Sequence, residues 1–73
     1  MAFTLSGSII TQTGTDTSLA GLSSISGVTT RVNAGDPKTQ YIINTGHKLI
    51  VNGTLSWNNR TAELIITSAT VAN

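Results

Sequence analysis

The chain has 73 residues, a formal net charge of +1 and no cysteine. That length holds one domain at most, and the missing thiols exclude both a disulfide framework and a Cys-based zinc site. Four basic and three acidic residues, dispersed along the chain, leave no electrostatic footprint for nucleic acid.

With so few charges, solubility rests on neutral polar side chains. There are 13 Thr and 8 Ser. Thr fits a pleated surface and Ser favours turns, so this bias points to strands and tight connections rather than helices. A domain this small buries a modest fraction of its surface. Very regular packing or association of copies is the remaining source of stability. The start, "MAFTLSGSII", lacks the basic residues and long apolar stretch of a signal peptide and reads as native and unprocessed. No segment is long enough to span a membrane. The end, "IITSATVAN", reads as either a natural terminus or the edge of a longer protein.

In chain order, the first element is "FTLSGSIITQTGT", residues 3–15. Phe3, Leu5, Gly7 and Ile9 alternate with Thr4, Ser6 and Ser8, which predicts a half-buried strand. Ile10 breaks the alternation, and the polar tract after it reads as a loop. Next comes "TDTSLAGLSSISGVTTRV", residues 15–32. Asp16 or Thr17 is placed to cap a short helical turn near residues 16–22. Leu19, Leu22, Ile25 and Val28 recur at every third position. That spacing is too tight for a long α-helix and wrong for a flat strand, so short extended pieces bent at Gly21 and Gly27 follow the turn. "NAGDPKTQ", residues 33–40, is a loop built on Gly35-Asp36-Pro37 turn chemistry.

The third region, "YIINTGHKLIVNGTLSW", residues 41–57, poses a choice at Asn52-Gly53. That dipeptide is the strongest short-range hairpin signal. A hairpin would pair Ile50 with Leu55 and Leu49 with Ser56, leaving both faces mixed. If the strand instead bends and continues, Tyr41, Ile43, Leu49, Val51, Gly53, Leu55 and Trp57 share one face. Lys48, Ile50, Asn52, Thr54 and Ser56 share the other. A one-residue slip would turn the whole apolar set outward, so the pattern favours the bend. "WNNRT" is then a connecting turn. "AELIITSATV" is a further strand, with Ala62, Leu64 and Ile66 inward and Glu63, Ile65 and Thr67 outward. If the two segments stack, their Leu and Ile side chains form columns, as in a solenoid.

No constellation with chemistry emerges from the pattern. His47, the one histidine, has no Ser/His/Asp arrangement around it and reads as a turn or surface residue; a general base needs an oriented partner. Asp16, Asp36 and Glu63 read as a cap, a turn residue and a solvated strand position rather than a glycosidase pair. The glycines carry no Gly-Lys-Ser/Thr phosphate loop, and Asn52-Gly53-Thr54 and Asn59-Arg60-Thr61 match the glycosylation pattern by chance. The chain is read as no enzyme, with no cofactor and no metal. Trp57 and Tyr41 are the best candidates for contact with a cell-surface glycan; the competing reading of Trp57 is a large plug in a core or subunit interface.

"TDTSLAGLSSISGVTT", "YIINTGHKLIVNGTLSW" and "AELIITSATV" together resemble the opening coils of right-handed β-helices, above all the β-structured shaft and tailspike modules of phage tail fibres. In that family a bent strand carries an "INGTL"-like phrase, which stands here as Ile50-Val51-Asn52-Gly53-Thr54-Leu55. The resemblance covers residues 16–70. It implies an elongated, usually homotrimeric, β-rich part of a virion tail or bacterial surface structure, whose receptor-binding or glycan-cleaving sites lie farther along a longer chain. Only two or three rungs fit in this sequence, where solenoids need at least three. The expectation is therefore one all-β module over residues 1–73, built of bent short strands in β-solenoid style and packed or intertwined as a homo-oligomer. Ile10, Ile42, Ile50 and Ile65 are the candidate subunit-interface residues, and an adhesin or carbohydrate-binding module is the alternative.

Overall fold

The computed structural model describes residues 2–32, 35, 38–67 and 71–72. The protein is all-β, with one short 3₁₀ helix. The strands are β1 (Ala2–Ser6), β2 (Ile9–Thr13), β3 (Thr15–Asp16), β4 (Val28–Val32), β5 (Thr39–Ile43), β6 (Lys48–Val51), β7 (Thr54–Leu55), β8 (Ala62–Ile66) and β9 (Val71–Ala72). They form three sheets, in the orders β1-β2-β6-β9, β3-β7 and β4-β5-β8. No helix among the described residues is long and apolar enough to cross a membrane.

The sheets mix two kinds of pairing. β1 and β2 form an antiparallel hairpin, as do β4 and β5. Every other pair is parallel: β2 with β6, β3 with β7, β5 with β8, and β6 with β9. Two sheets therefore begin with an antiparallel pair and continue with parallel strands.

Four expectations for the N-terminal half are corrected here. Residues 3–9 are not one strand. Ser6 pairs with Ile9, so Gly7-Ser8 is a two-residue hairpin tip, and Gly7 takes φ 61° as the first position of a tight hairpin turn requires. The polar tract after Ile10 is not a loop but β2, a central strand between β1 and β6. The helical turn lies at Ala20–Ser24 rather than near 16–22, and Leu19 precedes it without a side-chain capping bond. Asp16 is no cap: it is part of β3 and buried. The period of three was nevertheless meaningful. A 3₁₀ helix has three residues per turn, so Leu19 and Leu22 fall on one side and both are buried. Ile25 and Val28 continue against the same core.

At Asn52-Gly53 the strand runs on. β6 pairs with β2 and β7 with β3, and neither pairs with the other. Leu49, Tyr41 and Ile43 are buried, and Val51, Leu55 and Trp57 pack against them. Ala62, Leu64 and Ile66 also face this core. The register supplies the columns: Tyr41 stands beside Leu64 and Ile43 beside Ile66, while Ile10 stands beside Leu49.

The buried core is Ile10, Leu19, Leu22, Tyr41, Ile43 and Leu49. It is small, so each member matters. The described part of the 33–40 loop is confined to Gly35 and Lys38–Gln40, with β5 starting at Thr39; the turn expected at Asp36-Pro37 lies outside the described residues.

Candidate functional site

The most organised polar arrangement is the corner where β2-β3 and β6-β7 bend together. The backbone ladder passes through it without losing step. Lys48 N–H donates to Ser8 O at 3.0 Å, Asn52 N–H to Gln12 O at 2.9 Å, Thr54 N–H to Gly14 O at 2.8 Å and Ser56 N–H to Asp16 O at 2.9 Å. At the bend itself, Gly53 N–H turns to a side chain, the Gln12 Oε1, at 3.1 Å. Gln12 is fully buried. Its Nε2 faces Asp16 Oδ2 at 2.8 Å, Gly14 O at 3.1 Å, and Thr13 O and Thr54 O at 3.2 Å. A buried amide survives only when its groups are paired, and this one is paired to both strands. The two bends also touch: a Cβ on Gly53 would lie 2.7 Å from Gly14 N and closer still to Gly14 O. The corner therefore aligns two stacked strands rather than offering a cleft.

A second polar row crosses the outer face of β4-β5-β8. Arg31 Nε donates to Gln40 Oε1 at 2.7 Å, and Gln40 Nε2 donates to Glu63 Oε1 at 3.0 Å. These are register neighbours, so the row is a cross-strand ladder that reinforces pairing. Glu63 is thus engaged and half-buried rather than simply solvated.

Of the residues proposed for an interface, the structure separates one from three. Ile10 has no exposed surface and belongs to the chain's own core, so it cannot be a leftover apolar residue between subunits. Ile42 and Ile65 are half-buried register partners on the outer face of β4-β5-β8. Ile50 is half-buried on the outer face of the other large sheet, beside Thr11. Among the described residues, the most exposed large apolar side chains are different ones: Val32 at 67 %, Ile9 at 38 % and Leu5 at 37 %. Recognising Gly7-Ser8 as a hairpin tip would have found Ile9, because that turn pairs Leu5 with the core residue Ile10 and puts Ile9 on the opposite face.

The glycan pair is also corrected. Tyr41 is buried, and Trp57 packs against the same cluster, so the two share no open face. Trp57 is a plug. Trp57→Ala should cost about 2–3 kcal/mol, somewhat less than a fully buried Trp, read as a lower urea midpoint. A loss within about 0.5 kcal/mol, typical of surface positions, would show that the ring is not holding the core.

His47 sits half-buried with its ring against Gly27. Its Nδ1 is buried and makes no hydrogen bond among the described residues, and its backbone N–H closes a turn onto Asn44 O at 3.0 Å. Asp16 and Glu63 stand in different sheets, and Asp36 lies outside the described residues. Among the described residues there is no pocket and no cluster of three or more potential metal ligands. Comparison with known proteins gives no match: no family model fits the chain, and no curated protein or solved structure is significantly similar to it.

Proposed function

We propose that the chain is a structural, self-associating β module, a building block of an elongated homotrimer of the phage tail-fibre or tailspike kind, working in a virion tail or on a bacterial surface. The observation that carries this reading is the polarity of the stack. The two large sheets begin with the antiparallel strands β1 and β4. Strands β7, β8 and β9 each end a sheet, and each follows a parallel neighbour. Strand edges present unpaired backbone groups and template further pairing. Leu55, Trp57, Ala62, Leu64 and Ile66 are only partly buried against the core, so further apolar cover would stabilise them. The unbroken ladder through the bend supports a reading of these strands as the first coils of a β-solenoid.

In this reading, Ile42 and Ile65 on one outer face and Ile50 on another become buried between subunits, and edge strands pair across chains. Association completes what a chain of this size buries poorly alone. The trimeric number follows from the family resemblance. No nucleic acid, cofactor or membrane insertion enters the mechanism.

Light scattering at several concentrations tests it. The wild type should show an oligomer mass. Ile50→Asp and Ile65→Asp should weaken association by about a hundredfold or more, since an unpaired charge would be buried at the contact. Both positions are outward-facing, so the circular dichroism of each variant should stay that of a β protein. A wild type that remains a single chain at every concentration, with cooperative unfolding, would overturn the proposal.

A further inference from the structure

We infer that Asn52 is a latent deamidation site held shut by the Gln12 amide. Asn-Gly is the dipeptide most open to this chemistry, because no side chain on glycine hinders its nitrogen. The main-chain nitrogen of Gly53, once it loses its proton, bonds to Cγ of Asn52. The bond from Cγ to the side-chain nitrogen breaks, and ammonia leaves with a proton from solvent. The five-membered imide then takes up one water at either carbonyl, giving aspartate or isoaspartate. One water enters, one ammonia leaves, and no oxidant or reductant is needed.

The side chain of Asn52 is exposed, so water and base reach it freely. The nucleophile does not share that freedom. Gly53 N–H is donated to Gln12 Oε1 at 3.1 Å. The peptide units on either side are pinned by Asn52 N–H to Gln12 O at 2.9 Å and Thr54 N–H to Gly14 O at 2.8 Å. Gly53 also lies so close to Gly14 that a Cβ would overlap its backbone, which leaves no room for the main chain to swing toward Cγ. Closure of the imide has to wait for the corner to open, so its rate in the folded protein is the open fraction multiplied by the rate of the free chain.

The damage runs one way. Isoaspartate adds a methylene to the main chain between β6 and β7. Thr15 and Asp16 then lose their alignment with Thr54 and Leu55, and the corner cannot re-form in register. Each opening therefore carries a chance of permanent loss of the β3-β7 pairing.

The test follows the wild-type chain at mildly alkaline pH, in buffer and unfolded in urea, with conversion at residue 52 read by peptide mapping and mass spectrometry. Deamidation should be at least about tenfold slower in buffer, the factor set by the free energy of local opening. Hydrogen exchange of the Gly53 amide should be slowed by a similar factor. Gln12→Leu, where its circular dichroism shows it folded, should lose most of this protection. If that variant does not fold, the wild type in sub-denaturing urea gives the reading: deamidation at Asn52 and exchange at Gly53 should accelerate by the same factor. Equal rates in buffer and urea would overturn the proposal. So would full protection in a folded Gln12→Leu protein, or a freely exchanging Gly53 amide beside an intact Asn52.

Discussion

Gly53→Ala should cost the protein a large share of its stability. The added Cβ meets backbone rather than a side-chain tip: it would lie 2.7 Å from Gly14 N and closer to Gly14 O. A clashing rotamer can turn away, but a main chain held by its own ladder cannot. Relief requires β7 to separate from β3, which breaks Thr54 N–H to Gly14 O and Gly53 N–H to Gln12 Oε1. Overpacking at about 1–3 kcal/mol, with two hydrogen bonds at about 1 kcal/mol each, comes to about 3–5 kcal/mol. A chain of this length is expected to have about 4–11 kcal/mol in all. With a urea slope near about 1 kcal/mol/M for so small a protein, the midpoint falls by several molar. A hairpin tip at Asn52-Gly53 would behave otherwise, because alanine there pays only a left-handed backbone strain of about 1–2 kcal/mol. Gly53 is not among the positive-φ glycines, so its requirement is for space and not for an unusual dihedral angle. A midpoint shifted by less than about 0.5 M would refute the close approach of the two bends.

How much of this was legible in the sequence depended on how far each residue's partners lie along the chain. The bend at Asn52-Gly53 was legible because Leu49, Val51, Leu55 and Trp57 keep one parity, and parity is a local property. The inward set Ala62, Leu64 and Ile66 was legible for the same reason. The Gly7-Ser8 hairpin was hidden by coincidence: Phe3, Leu5, Gly7 and Ile9 alternate straight through a turn that reverses the chain. Asp16 looked like a cap because Asp before an apolar periodic segment usually is one. Its side chain is instead taken by Gln12, inside a corner that exists only once β7 has stacked on β3. Gln12 was the residue least open to sequence reasoning. It sits in a polar Thr-rich tract with nothing apolar to mark it, yet it is fully buried, and two of the groups that make its burial tolerable are 41 and 42 residues away. Ile10 failed in the opposite sense. It broke a false alternation and so looked surplus, while in the true register it stands beside Leu5 and Leu49.

Gln12→Leu isolates what that amide contributes. Leucine fills a similar volume, so packing is roughly kept, and the loss is polar. Gly53 N–H loses its acceptor, and Asp16 Oδ2 and Thr54 O lose a donor. Each lost hydrogen bond costs about 1 kcal/mol, which puts the variant about 2–4 kcal/mol below the wild type. The urea midpoint checks this. A double-mutant cycle with Asp16→Ala shows where the cost arises. If the Gln12–Asp16 bond is central, Asp16→Ala should be cheaper in the Gln12→Leu background by about 1–2 kcal/mol, as expected for side chains in one network; simple additivity would remove Asp16 from the account. The physical reason for an amide at this place lies in register. Two leucines across the corner would bury as much apolar area, but they would pack nearly as well after a slip of one strand. Gln12 accepts from one backbone group of the partner strand and donates to another, so a slipped strand leaves the buried amide unmatched. Since each slip by one residue would send Leu49, Val51 and Leu55 to the outside, the Gln12 pairing favours the register that keeps the apolar face inward.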